Sequence, residues 1–279
     1  MVLILCYIYN NDYCYQKEAA MITAVTGPPG AGKTHWIREQ ISKTTEPVGY
    51  FNPGEDSVVI DGTCIACEFP LVQILTSGEE LQRFNPEFVS TTYIEIPWHF
   101  DLSSVEPLLT RLNTKRIAII PSSSENTEWE NWADSAILGN KNIAEPFSKI
   151  NHYSGQIHRH LLTGEIIDWA SLTLFWFELI QGAYGEVIRA KGIFDIVSGE
   201  SIYGDFVAGT INQEFVALEV PLWLTGRPER FSGLEIVGFN LQLKEISQTL
   251  KYCFIPESQI DYYQQQIQTS LQTEEEVTP

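Results

Sequence analysis

AVTGPPGAGKTHWI, residues 24–37, sets Gly27, then four residues, then Gly32, Lys33 and Thr34. That spacing is the outline of a loop that cradles phosphate. Gly27, Gly30 and Gly32 allow backbone conformations and close approach that a Cβ would block. The amides of Gly30, Ala31, Gly32, Lys33 and Thr34, with His35 following, then open a helix N-terminus toward an anion. In this reading Lys33 reaches the β and γ phosphates and the Thr34 hydroxyl ligates Mg²⁺. Pro28 and Pro29 donate no N–H and stiffen the loop. By average composition the pattern arises by chance in a chain this long on the order of once in a hundred. The flanks supply its context: "ITAVT" before it reads as a buried strand, and "KTHWIREQISK" after it as a helix with Trp36, Ile37 and Ile41 inward.

Outward from the loop, strand and helix alternate without internal repeats. "TTYIEIP", "RIAIIPS" and "SAILGN" read as three further buried strands, and "SSVEPLLTRLN" as a helix between them. Such apolar runs predict an α/β phosphate-loop NTPase domain over residues 21–150, a parallel sheet with helices on both faces. A smaller α+β domain is predicted over residues 151–256. In it "QIHRHLL", "GEVIRAKGIFDIV", "EFVALEVPLW" and "LEIVGFN" read as strands. "DWASLTLFWFELIQG" reads as a helix capped by Asp168 and stopped near Gly182. A last helix places Leu243, Ile246, Leu250 and Cys253 on one face. Residues 257–279, Gln-rich and acidic, read as a frayed helix or solvated end.

The 279 residues carry 36 acidic and 17 basic side chains, a net charge of −19. Such a balance predicts neither nucleic acid nor an anionic membrane as a broad partner. The five cysteines, Cys6, Cys14, Cys64, Cys67 and Cys253, do not form a disulfide framework in outline, and a cytoplasmic setting is expected. The apolar run Val2–Ile8 is too short to span a bilayer and lacks signal-peptide flanks. Residues 1–20 read as an extension ahead of a translation start at Met21.

Several stretches together resemble the CobW-type GTPases, a cobalamin-synthesis and metal-chaperone family. They are "ITAVTGPPGAGKT", "YFNPGEDSVVIDG", "DGTCIAC", "YIEIP", "NWADSAILGNK", "YGEVIRAKGIFDI" and "RPERFSGLEIVGFN", spread over most of residues 21–254. The resemblance implies a GTP- and Mg²⁺-dependent protein that hands zinc or cobalt to a client metalloprotein or cofactor-assembly enzyme. It implies a catalytic role for Glu95 beside Lys33, base recognition by Asn140 and Lys141, and a metal site at Glu55, Cys64 and Cys67. The second domain would be CobW C-terminal-like.

The sequence departs from that family at three places. Ala66 replaces the middle cysteine of a Cys-x-Cys-Cys motif, which lowers the expected affinity for soft metals; two buried cysteines acting as small hydrophobes are the bland alternative. Glu95 is followed by Ile96, Pro97 and Trp98 rather than by a glycine, so slow or absent hydrolysis is expected. His99 beyond them reads as a surface histidine. The guanine-reading Asp is missing, with Ile143 at its place or Asn142 if the register shifts. GTP therefore follows from the resemblance, and ATP stays open. A non-hydrolysing nucleotide-binding scaffold is the alternative function.

Smaller signals have two readings each. His158 and His160 share a strand face, near His152, as a metal pair or as an edge-strand pattern. Arg189, Lys191, Arg227 and Arg230 face either the nucleotide domain, a client, or carboxylates of their own domain. Phe175, Trp176 and Phe177 read as core.

Overall fold

β-branched and small apolar residues run together at Met21–Thr26, and this segment is the central strand β1 of a parallel sheet. The structure is a computed structural model; it describes residues 21–54, 58–83, 91–121, 127–139, 155–210 and 215–277. Around β1 stand β2 (Val48–Phe51), β3 (Gln73–Leu75), β4 (Thr91–Glu95), β5 (Lys115–Ile120) and β6 (Ser135–Leu138), in the order β3-β2-β4-β1-β5-β6. Every neighbouring pair is parallel. Consecutive residues Ala24, Val25 and Thr26 are all fully buried, so both faces of β1 are covered. The connecting helices are α1 (Lys33–Ile41), α2 (Ile60–Glu68), α3 (Gly78–Arg83), α4 (Leu102–Arg111) and α5 (Glu128–Trp132). The chain runs from β1 toward β3, returns to β4, then crosses to β5. That reversal opens a crevice at the carboxyl end of β1, where ligands of open α/β sheets sit.

The second unit is an antiparallel sheet in the order β10-β9-β8-β11-β7. Its strands are β7 (Gln156–Leu161), β8 (Glu186–Asp195), β9 (Ser201–Val207), β10 (Phe215–Ala217) and β11 (Gly233–Phe239). Two helices, α6 (Trp169–Ile180) and α7 (Leu243–Tyr252), bring Phe175, Trp176, Ile246 and Leu250 against Ala190 and Ile236 of the sheet. Asp168 caps α6 by accepting the Ser171 N–H at 2.8 Å, and Gly182 closes it with φ of 84°. The last helix, α8, spans Glu257–Val277. Its start is anchored by buried Ile260 and by Gln264, which donates to Gly226 O and accepts the Gly226 N–H, both at 2.8 Å. The fold is thus a phosphate-loop NTPase sheet followed by a smaller α+β unit. No helix among the described residues is long and apolar enough to cross a membrane.

Three sequence expectations need correction. "SAILGN" is not a buried strand: β6 is an edge with Leu138 64 % exposed. "SIYGDFV" was not read as a strand, yet it forms β9, paired with β8 through a turn at Gly199 with φ of 86°. "EFVALEVPLW" is extended only as the three-residue β10, ahead of Pro221, which has no N–H to give a ladder. Phe175 and Trp176 are core, as expected, whereas Phe177 is 58 % exposed.

Candidate functional site

The loop between β1 and α1 takes its path from three glycines with positive φ: Gly27 (144°), Gly30 (76°) and Gly32 (99°). A Cβ on Gly27 would lie 2.1 Å from the carbonyl oxygen of Ile119 in β5, so no larger residue fits. Gly32 opens α1 without a side-chain cap. The first N–H groups of a helix have no intrahelical acceptor, so those of α1 face the crevice as donors.

Lys33 is 8 % exposed, and its Nζ donates to Gly27 O at 2.9 Å and Pro28 O at 3.1 Å. Burial lowers its pKa to about 8; the Glu95 carboxylate opposes this, while Lys191 adds to it. Glu95 ends β4 beside the loop and is 5 % exposed. It accepts Thr34 Oγ1–H at 2.9 Å on one oxygen and the Tyr50 hydroxyl at 3.0 Å on the other. Burial, then Asp61, pushes its pKa up, against Lys33 and Lys191.

These groups fit a magnesium-bound polyphosphate on their own chemistry. A hard hydroxyl and a carboxylate stand within hydrogen-bond distance of each other at a helix N-terminus, with an ammonium beside them. Thr34 and Glu95 would hold the cation, and Lys33 the phosphate.

A cavity of about 910 Å³ lies over the loop. Its near wall is Gly30, Lys33, Thr34, His35 and Glu95; its far wall is the second sheet. There a row of charges crosses four strands in register: Arg159 opposite Glu235, Glu235 opposite Lys191, Lys191 opposite Asp205. Arg159 Nε donates to Glu235 at 2.7 Å, and Lys191 Nζ lies 3.4 Å from the other Glu235 oxygen. Lys191 also pairs with Asp61 in the first turn of α2, tying the two units together. Arg189 pairs with Asp205 and donates to Phe206 O at 2.9 Å. Of the four cations in question, Lys191 pairs with the nucleotide domain, whereas Arg189 lines the cavity but bonds to Asp205 of its own unit. Arg227 serves Glu165 and Glu257, and Arg230 serves Asp195 at 2.6 Å, all within the second unit.

The segment after Glu95 is clamped. Trp98 is 6 % exposed, and a Cβ on Gly155 would lie 2.7 Å from its ring. A Cβ on Gly54 would lie 2.2 Å from Pro97 Cγ. His99 is half-buried with its ring against Trp98 and Phe100.

Cys64 and Cys67 both edge the cavity from α2. Cys64 is buried with Val58, Ile60 and Ile193, and burial pushes both thiols up. Among the described residues no group of three or more His, Cys, Asp or Glu is placed to hold a metal ion. Those residues alone do not complete a zinc or cobalt site, and no step below runs through one. Glu55, Asn140, Lys141 and His152 lie outside the described residues. Gly139, just before Asn140, abuts the loop: a Cβ there would meet Ala31 O at 2.1 Å. His158 faces α7 rather than the cavity, with Ser247 Oγ 3.4 Å from its Nε2, and its ring stands 6.2 Å from that of His160.

Asp61 and Tyr50 were not picked out as site residues from the sequence. Asp61 sits in the stretch "YFNPGEDSVVIDG" but meets Lys191 130 positions away, and Tyr50 reads as an ordinary strand aromatic.

No family model matches the chain, and no curated protein matches it. Among solved structures, Zn(II)-bound YjiA GTPase from E. coli and a Zn(II)-bound triple mutant of YjiA GTPase each match with a TM-score of 0.31 and 13 % identity. Each alignment covers 84 % of this chain and 99 % of the other. An overlap that loose carries no weight below; fold and site stand on this chain's own geometry.

Proposed function

We propose that this chain binds a nucleoside triphosphate with Mg²⁺ at the loop between β1 and α1, and turns it over slowly or not at all. The observation that carries the reading is the convergence of Lys33, Thr34 and Glu95 at an uncapped helix N-terminus under a cavity of about 910 Å³. That volume is of the size that takes a small ligand. Loop amides orient the phosphates, Lys33 leaves its two carbonyl partners to neutralise them, and the burial of Glu95 keeps bulk water from the cation side. Magnesium, when bound, spreads the phosphate charge. GTP is the nucleotide that the CobW-type resemblance favours, with ATP as competitor.

The clamp on Pro97 and Trp98 supports the second reading, a non-hydrolysing scaffold. Hydrolysis by phosphate-loop proteins commonly needs the segment after the acid to swing toward the terminal phosphate. Here that segment is part of the core. Delivery of zinc or cobalt to a client belongs to the resemblance, and the two thiols edging the cavity are what supports it.

Titration of the full chain with Mg·GTP and Mg·ATP, together with phosphate release, tests the reading. One triphosphate should bind, and Lys33→Ala should weaken it about 10- to 150-fold, as for a lost charged hydrogen bond. No binding of either, or equal affinity in Lys33→Ala, overturns it. Phosphate release above the Lys33→Ala control would decide for a hydrolase over the scaffold.

A further inference from the structure

The second sheet presents its charged row to the phosphate loop, and nothing in the reading above uses it. Five of the chain's 17 basic residues line this one cavity: Lys33, Arg38, Arg159, Arg189 and Lys191. Asp61, Glu68, Glu95, Asp205, Glu219 and Glu235 line it too, and Arg38, Arg159, Arg189 and Lys191 each pair with one of these carboxylates, so an incoming anion must compete for a cation already partnered. Lys191 is the member best placed to change partners. It is 12 % exposed, on a strand of one unit, and pairs with Asp61 on a helix of the other. It is near enough to Lys33 and Glu95 for its charge to act on both. Glu235, which lines the same cavity, lies 3.4 Å from its ammonium.

We propose that Lys191 is the sensor of the terminal phosphate: when a triphosphate occupies the loop, the Lys191 ammonium exchanges Asp61 for that phosphate. A diphosphate leaves the Lys191–Asp61 pair in place. The exchange gives the site its preference for triphosphate over diphosphate. It also makes the contact between α2 and the second sheet depend on which nucleotide is bound, and linkage makes that dependence reciprocal. The charges balance without a new co-reactant: Lys191 keeps its proton and passes from one anion to another. The proposal rests on nucleotide binding at the loop and deepens it.

Removing Lys191 alone would leave the buried Asp61 carboxylate without the Lys191 ammonium, a change that destabilises in its own right. The test therefore compares Lys191→Met with the paired change Lys191→Met/Asp61→Asn, which removes both charges at nearly constant volume. Affinities of the full chain for Mg²⁺ with a non-hydrolysable GTP analogue and with GDP are measured alongside thermal unfolding. In the paired variant the analogue should weaken about tenfold or more while GDP stays within about twofold. Lys191→Arg, which keeps a cation there, should retain the preference. An unchanged ratio of the two affinities, or equal weakening of both, overturns the sensor while leaving nucleotide binding standing. Failure of the wild-type chain to bind these nucleotides or their adenine counterparts overturns both readings.

Discussion

Lys33 is a buried cation between loop and sheet. Its burial costs charge, and its pKa falls from 10.5 to about 8. Below pH 8 it is protonated folded and unfolded; between 8 and 10.5 only the unfolded chain holds the proton, so stability rises with pH across that window. Binding works the other way. A polyphosphate favours the ammonium, so above pH 8 binding must take up a proton. Affinity should fall as pH rises through 8, with proton uptake approaching about 0.9 per site one unit higher. Calorimetry in buffers of different ionisation enthalpy reads this; a flat affinity and no uptake would contradict it. The loop residues were legible in the sequence because their spacing is local and each glycine has a backbone reason. Asp61 and Tyr50 were not, because what makes them functional is a partner distant in the chain.

At the scale of the elements, the strands that read best are those whose pattern the sheet enforces. β1, β4 and β5 are covered on both faces and appear as apolar runs. β9 was missed because its buried and half-buried residues alternate through Gly204 and Asp205, which dilute the signal. The charged row was invisible for another reason: Arg159, Glu235, Lys191 and Asp205 become neighbours only once the register of four strands is fixed. The row has a measurable consequence. Burial alone would raise Glu235, yet Lys191 and Arg159 hold it down to about 2 from an ordinary 4.5. A depressed carboxylate stabilises fully above pH 4.5, and the contribution is lost as pH falls toward 2. The difference amounts to roughly 3 kcal/mol. Urea unfolding at pH 7 and pH 3 should show Glu235→Gln less stable at neutrality and less sensitive to acid. An acid response equal to that of the wild type would remove the row as its cause.

For the whole molecule, the two sheets share their interior. Ile188 and Val237 of the second unit pack into the core that holds Trp98, and Ile193 joins Val58, Ile60 and Cys64. A triphosphate bound at the loop therefore lies between two walls that already touch, and its effects should reach both. Hydrogen exchange of the full chain, with and without Mg²⁺ and a non-hydrolysable GTP analogue, measures this most directly. The account predicts slowed exchange at the amides of residues 30–35 and, in the same experiment, along β8 around Arg189 and Lys191. Protection at neither place at saturating nucleotide would contradict the claim that a polyphosphate is held between loop and sheet.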